Sequence, residues 1–168
     1  MARLMRLLKH RLWDEADARR ALPAAALDRL QAQVKTSEAR HSGEIRVCVE
    51  ASLPRSYLWR DAPARQRAIA MFGKLRVWDT EHNNGVLIYL LLAEHRIEVV
   101  ADRGIDARAA PVTWTAMVES LRTALRKGSF EDGLSAAIRT ADEMLVAHFP
   151  LADGVKRLNE LPDAVVLL

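Results

Sequence analysis

Six polar residues in a row, Asp79-Thr-Glu-His-Asn-Asn84, run directly into eight residues without a charge, Gly85 to Leu92. The carboxylates and amides of this loop are oxygen-rich groups that suit a hard cation such as Ca²⁺ or Mg²⁺, and an imidazole stands among them. Gathered around a metal, the same carboxylates would polarise a phosphate ester or activate water. Two other stretches carry similar chemistry, namely His41, Ser42 and Glu44, and later Asp102, Arg103 and Asp106. Asp79, Glu81, Asp102 and Asp106 are the candidate metal ligands. Glu44, His82, Asn83, Asn84 and Arg103 are the candidate ligand-binding residues, and no catalytic residue is singled out. A purely structural reading fits the same residues. Asn83 and Asn84 are favoured in turns because their side chains bond nearby backbone, and Asp79 and Glu81 have Arg76 and Arg103 within reach as ion-pair partners. Structural loop, ligand or metal site and catalytic centre are the three alternatives.

The elements that would position these groups follow from hydrophobic periodicity. From Glu44 to Ser52 the pattern alternates, with Ile45, Val47 and Val49 on one face and Glu44, Arg46, Cys48 and Glu50 on the other. That is a strand with one better-buried face. Ala64 to Leu75 has a helical stripe. Gly85 to Leu92 is apolar throughout, as in a strand buried on both faces, and is too short to span a membrane as a helix. His95 to Ala101 alternates again. A strand, a helix and a second strand form a βαβ unit with parallel strands, and the third strand returns beside the second as a hairpin. This topology brings the start of the first two strands and the end of the third to one edge, where all the candidate residues would meet. Helices over Pro23 to His41, from Trp114 to Gly128, and from Ser129 onward flank the sheet. The fold class is α/β, an αβα sandwich around a small mixed sheet. Tyr57 and Trp59, in a loop between two prolines, are expected to pin that loop to the core.

Three regions are expected: an amphipathic basic helix over 1–22, a folded domain over 23–149, and a tail over 150–168. In the first, Leu4, Leu8 and Leu12 alternate with Arg3, Arg6, Lys9 and Arg11. Docking on the domain, contact with an anionic membrane surface and an oligomer contact are its three readings. The tail is polar until Asp163-Ala-Val-Val-Leu-Leu168, which would add an edge strand, grip a neighbour or stay disordered.

With 168 residues, half of them hydrophobic and 28% charged, the composition is that of an ordinary globular domain. A net charge of +3, with no zinc-finger spacing and no aromatic RNA-binding motif, argues against nucleic acid as a partner. The single Cys48 excludes an internal disulfide and reads as a small buried hydrophobe. Lys9, His10 and Arg11 interrupt the first apolar run, so no signal-peptide core forms and a cytoplasmic location is the expectation. Walker-A, nucleophile-elbow, HExxH and dinucleotide-binding patterns are all missing. His95 and His148 lack partners at metal-ligand spacing.

Three segments, in order, resemble the TPM domain family, whose namesakes are a thylakoid-lumen protein, a photosystem II repair protein and an animal acetylcholine-receptor modulator. The first is the strand Glu44-Ile-Arg-Val-Cys-Val-Glu50 after a helix. The second is Asn84-Gly-Val-Leu-Ile88, similar to the family's Asn-Gly-Val-Leu-hydrophobic signature. The third is Arg96-Ile-Glu-Val-Val100 followed by Gly104-Ile105. Phe130 to Ile138, with Gly133, resembles the family's closing helix, and the likeness covers about Pro23 to Phe149. It implies an αβα sandwich, an association with divalent cations and, from a plant member, acid phosphatase activity. Many members are exported or membrane-anchored. Two departures weaken the enzymatic implication: Asp102-Arg103-Gly104 stands where the family has Gly-aromatic-Gly, and Pro111-Val112 where an aspartate often follows. A binding or adaptor module in envelope or stress maintenance, with an unidentified protein partner, is the leading expectation. A divalent-metal-dependent acid phosphatase is the alternative.

Overall fold

In the computed structural model, which describes residues 2–151 and 161–168, the alternating segments become the sheet. β1 (Glu44–Glu50) lies parallel to β2 (Gly85–Leu91), in register from Glu44 beside Gly85 to Glu50 beside Leu91. β3 (Arg96–Ala101) is antiparallel to β2, with Val86 opposite Ala101. A 3₁₀ turn over Leu92–Glu94 joins them, closed by His95 at φ 50°. Of the three readings of the C-terminal apolar end, the edge strand is what forms: β4 (Val166–Leu167) pairs parallel to β1. The order is β3-β2-β1-β4. The polar part of the expected tail, 152–160, lies outside the described residues.

Helices cover both faces, which gives the expected αβα sandwich. The chain runs through α1 (Ala2–Arg11), α2 (Glu15–Ala21) and α3 (Ala24–Glu38) before β1, and α4 (Arg55–Trp59) and α5 (Ala64–Lys74) before β2. After β3 come α6 (Arg103–Asp106), α7 (Pro111–Arg126) and α8 (Phe130–His148). One face presents Ile45, Val47, Val49, Val86, Ile88 and Leu90 to a core completed by α2, α3, α7 and α8. The other presents Cys48, Leu87, Tyr89 and Leu91 to α4, α5 and Leu161.

Two expectations are corrected here. β1 does not have one better-buried face, because all seven of its residues are buried. Its polar side is closed by a network from other elements. Arg67 of α5 donates to Glu50 from Nη2 and Nε, at 2.6 and 2.9 Å to Oε1 and Oε2, and the Tyr89 hydroxyl donates to Oε2 at 2.5 Å. A buried charge is tolerable only when paired in this way. Between these groups Cys48 is inert: burial pushes its thiol up to about 12.

The second correction is that residues 1–22 form two helices. Asp14 starts the second one, its side chain accepting from the Ala16 and Asp17 backbone N–H groups, while Asp17 accepts from the Asp14 N–H in return. This reciprocal cap satisfies donors that an uninterrupted helix would have bonded internally. The break also lets the chain change sides. Leu7 of α1 packs on the core beside α4 and α5, whereas Ala18 of α2 and the following Leu22 are buried in the opposite core.

Candidate functional site

The predicted edge forms. Glu44, Gly85 and Asp102 occupy one row across β1, β2 and the end of β3, since Glu44 pairs with Gly85 and the Asp102 N–H donates to the Gly85 carbonyl at 2.8 Å. Gly85 leaves a gap in that row, and the backbone of Val77 fills it. A Cβ on Gly85 would stand 2.0 Å from the Val77 carbonyl oxygen. Glu44 and Asp102 therefore flank a crossing chain and do not face each other across an open pocket.

The second glycine does the same on the other side of the loop. A Cβ on Gly104 would meet the carbonyl oxygens of His82 and Asn83 at 2.4 and 2.6 Å. With that side chain absent, the Asn83 carbonyl accepts from the Gly104 N–H at 2.8 Å and from the Ile105 N–H at 3.3 Å. Asn83 adopts φ 51°, a left-handed conformation that asparagine tolerates better than most residues. Its Oδ1 accepts two bonds from Arg103, each of 3.2 Å. Asn84 is fully buried: its N–H donates to Thr80 Oγ1 at 3.0 Å and its Nδ2 to Ser42 Oγ at 3.2 Å.

The candidate residues thus fall into three groups. Asn83, Asn84, Arg103 and Asp102 are brought together at the lip of the sheet. Glu44 is buried at the start of β1, two rows from Arg46 on the same face. Asp79, Glu81, His82 and Asp106 lie exposed on the rim, Asp79 in an ion pair with Arg76. Asp102 caps α6, with Oδ1 accepting from the Arg103 N–H at 2.7 Å. Among the described residues, no group of three or more His, Cys, Asp or Glu stands close enough to hold a metal ion. A hard cation takes six to eight oxygens. Of the four candidate metal ligands, only Asp102 has a buried oxygen without a hydrogen bond among the described residues, Oδ2, and Asn84 Oδ1 is another such oxygen at the lip. The ladder puts Asn84 in the row series of Val86 and Asp102 in that of Val100, on opposite faces of the sheet. They are two separate acceptors along one lip, which does not make a cage for one ion.

Two polar clusters were not expected from the sequence. Ser37, His41 and Asp142, all buried, join α3, the start of β1 and α8. Ser37 Oγ lies 3.0 Å from His41 Nε2 and donates to Asp142 Oδ1 at 2.9 Å, and Arg40 also pairs with Asp142. A nucleophilic serine gives its proton to the imidazole, with the carboxylate on the far ring nitrogen. Here the hydroxyl proton is committed to the carboxylate, so the cluster is a clamp between helices. Its one sequence signal is Asp142 inside the apolar stripe of α8, beside Ala141 and Leu145. The other cluster centres on α1. Arg6 donates from Nε to Glu94 Oε1 at 2.6 Å, from Nη1 to Asp61 at 2.6 Å and from Nη2 to the Ala62 carbonyl at 2.7 Å. His10 is buried, with Nε2 at 2.9 Å from Glu94 and the Leu53 N–H donating to Nδ1 at 3.1 Å. Because Nδ1 accepts, the ring proton sits on Nε2 and points at Glu94. Burial works against ionisation of Glu94, but the hydrogen bonds from His10 and Arg6 and the Arg6 charge hold it down at about 2.

The TPM domain family matches residues 16–144. Among solved structures, the BA42 protein of the psychrophilic bacterium Bizionia argentinensis is similar, with 25% identity and a TM-score of 0.75 over 87% of this chain and 94% of that one. The N-terminal domain of a protein from P. gingivalis shares the fold at 19% identity and a TM-score of 0.61, over 78% and 82% of the two chains. No curated protein matches.

Proposed function

This chain belongs to the TPM domain family, and from that premise we propose that it is a non-catalytic binding module whose recognition surface is the lip made by Ser42, Asn83, Asn84, Asp102 and Arg103. The observation that carries this reading is the pair of buried oxygens, Asn84 Oδ1 and Asp102 Oδ2, that have no hydrogen-bond partner among the described residues. A buried acceptor left unmatched costs free energy, and such groups call for a partner. Both are closed to solvent in this structure, so they would be matched by separated donors of a polypeptide, such as lysine and amide groups, only where the 79–84 loop gives way to admit them. The exposed acids Glu81 and Asp106 add a negative rim. Ca²⁺ or Mg²⁺ at Asp102, and phosphate-ester hydrolysis with it, form the alternative reading.

Asp102→Asn separates these readings, because asparagine keeps the cap of α6 and removes the charge. A lysine-rich peptide should shift the amide resonances of residues 83, 84, 102 and 103, with affinity about tenfold lower in the variant, a difference of about 1.4 kcal/mol. No hydrolysis of p-nitrophenyl phosphate above buffer is expected with either cation. Metal-dependent turnover lost in Asp102→Asn would replace the binding reading by the phosphatase one. An unmoved spectrum with peptide and with cation would remove the lip as a recognition surface.

A further inference from the structure

On an α-helix, residues two apart point about 200° from each other, almost to opposite sides. Arg6 and His10 therefore share one side of α1, and Leu4 and Leu8, each two positions away, share the other, with Leu12 in the turn that follows. The helix docks by the first side. Arg6 and His10 reach Glu94, Asp61, Ser52 and backbone groups, as described above. The leucine side is left outward: Leu4 is 64% exposed, Met5 69%, Leu8 51% and Leu12 80%. Trp59 of α4, expected to pin its loop to the core, is instead 71% exposed beside this stripe. Between α1 and α4 lies a groove of about 890 Å³ lined by Leu4, Leu8, Leu58, Trp59, Arg11 and Arg55. Soluble proteins rarely leave so continuous an apolar surface uncovered.

The charges around the stripe decide what covers it. Lys9, Arg11 and Arg55 are exposed and form no ion pair among the described residues, and Arg60 lies beside them over the Tyr57 ring at 5.3 Å. Neither Leu4 to Trp13 nor Leu53 to Arg60 contains a carboxylate. Two copies brought together through this face would oppose like charges, whereas an anionic surface would be matched. An apolar stripe edged by lysine and arginine, with a tryptophan at its margin, is the pattern of a helix lying in a membrane interface. Among the described residues, no helix is long and apolar enough to cross a membrane. The residues matched to the family begin at 16, so α1 lies outside that match.

We propose that α1 and α4 form a peripheral docking face for an anionic lipid surface, with Leu4, Leu8, Leu12 and Trp59 entering the headgroup boundary and Lys9, Arg11 and Arg55 meeting the lipid charge. The rigid anchoring of α1 through Arg6 and His10 presents the stripe already ordered, so little conformational freedom is lost on contact.

Sedimentation of the full chain with vesicles tests this. Phosphatidylcholine vesicles containing about one third phosphatidylglycerol should bind at least about tenfold more tightly than phosphatidylcholine alone, with a blue shift of tryptophan emission and weakening by salt. Leu8→Glu with Leu12→Glu should lose about tenfold or more while melting like the wild type, since both positions are exposed. Trp59→Ser should weaken binding independently of any change in α1. Lys9→Glu with Arg11→Glu should abolish the preference for the anionic vesicles. Equal binding by the leucine variant, or no binding of the wild type to the anionic vesicles, overturns the proposal. So does a concentration-dependent dimer that Leu8→Glu dissociates in the absence of vesicle binding, which would give the face to a second copy.

Discussion

At the lip of the sheet, side chains of the kind that bind ligands hold a loop in place; on the α1–α4 face, side chains of the kind that fill cores stand in solvent. Asp79 is paired with Arg76, Asp102 caps α6, Asn83 ties Arg103, and Asn84 bonds Ser42 and Thr80. Among the described residues, Asn84 Oδ1 and Asp102 Oδ2 are left as buried oxygens unmatched at the lip. Leu4, Leu8 and Leu12 read as a stripe, yet their helix is held by an arginine and a histidine on its other side. Residue type alone therefore misleads in both regions. What is left unsatisfied after folding is the better guide to function, because unsatisfied surface is where free energy remains to be gained from a partner.

The largest effect expected within this comparison is at Gly85. Alanine there would drive a methyl into the Val77 carbonyl, so either the loop or β2 must shift, at a cost of about 2–4 kcal/mol. Urea unfolding measures this. Wild-type stability in Gly85→Ala would mean that the loop does not cross the Glu44–Asp102 gap and that the two carboxylates are able to converge after all.

An intermediate effect is expected from acid at α1. Against its burial, the hydrogen bonds from His10 and Arg6 hold folded Glu94 at about 2, below the 4.5 ordinary for a glutamate in an unfolded chain. A depressed carboxylate contributes stability that is complete above about pH 4.5 and is lost as pH falls through about 2. Hydrogen-exchange protection of residues 4–11 should fall over that window while the sheet stays protected. Protection unchanged down to pH 2, or lost on raising the pH instead, would show that the Arg6–His10–Glu94 contacts do not hold the helix.

The smallest effect is a near-silent substitution. Leu12→Gln removes an apolar side chain that is 80% exposed, and its thermal midpoint should correspond to a change within about 0.5 kcal/mol. A loss of about 2 kcal/mol or more would place Leu12 in a core and close the exposed face.

The sheet was legible because strands alternate with a period of two and because a strand–helix–strand run dictates parallel pairing, which together placed Glu44, Asn84 and Asp102 at one edge. The break at Asp14 was missed: the four-residue leucine spacing up to Leu12 suggested one helix through to Leu22, and the reciprocal cap between Asp14 and Asp17 ends it. The burial of Glu44, Arg46 and Glu50 was not legible, because Arg67 and Tyr89, which close the Glu50 end, lie 17 and 39 residues along the chain. Nor was the closed gap at Gly85: alternation fixes which residues share a row, but not which distant backbone crosses it. The docking side of α1 depends on where Asp61 and Glu94 arrive in space, and amphipathicity alone favours the opposite side.

One spectrum compares the two regions directly. Amide resonances of the full-length protein recorded with and without anionic bicelles report both surfaces at once. Shifts and broadening over Leu4 to Leu12 and Arg55 to Trp59, with 79–84 and 102–106 unmoved, are expected. Perturbation of the lip with an unmoved α1, or no perturbation in either region, would contradict the central claim that the outward leucine face is the membrane-facing surface of this protein.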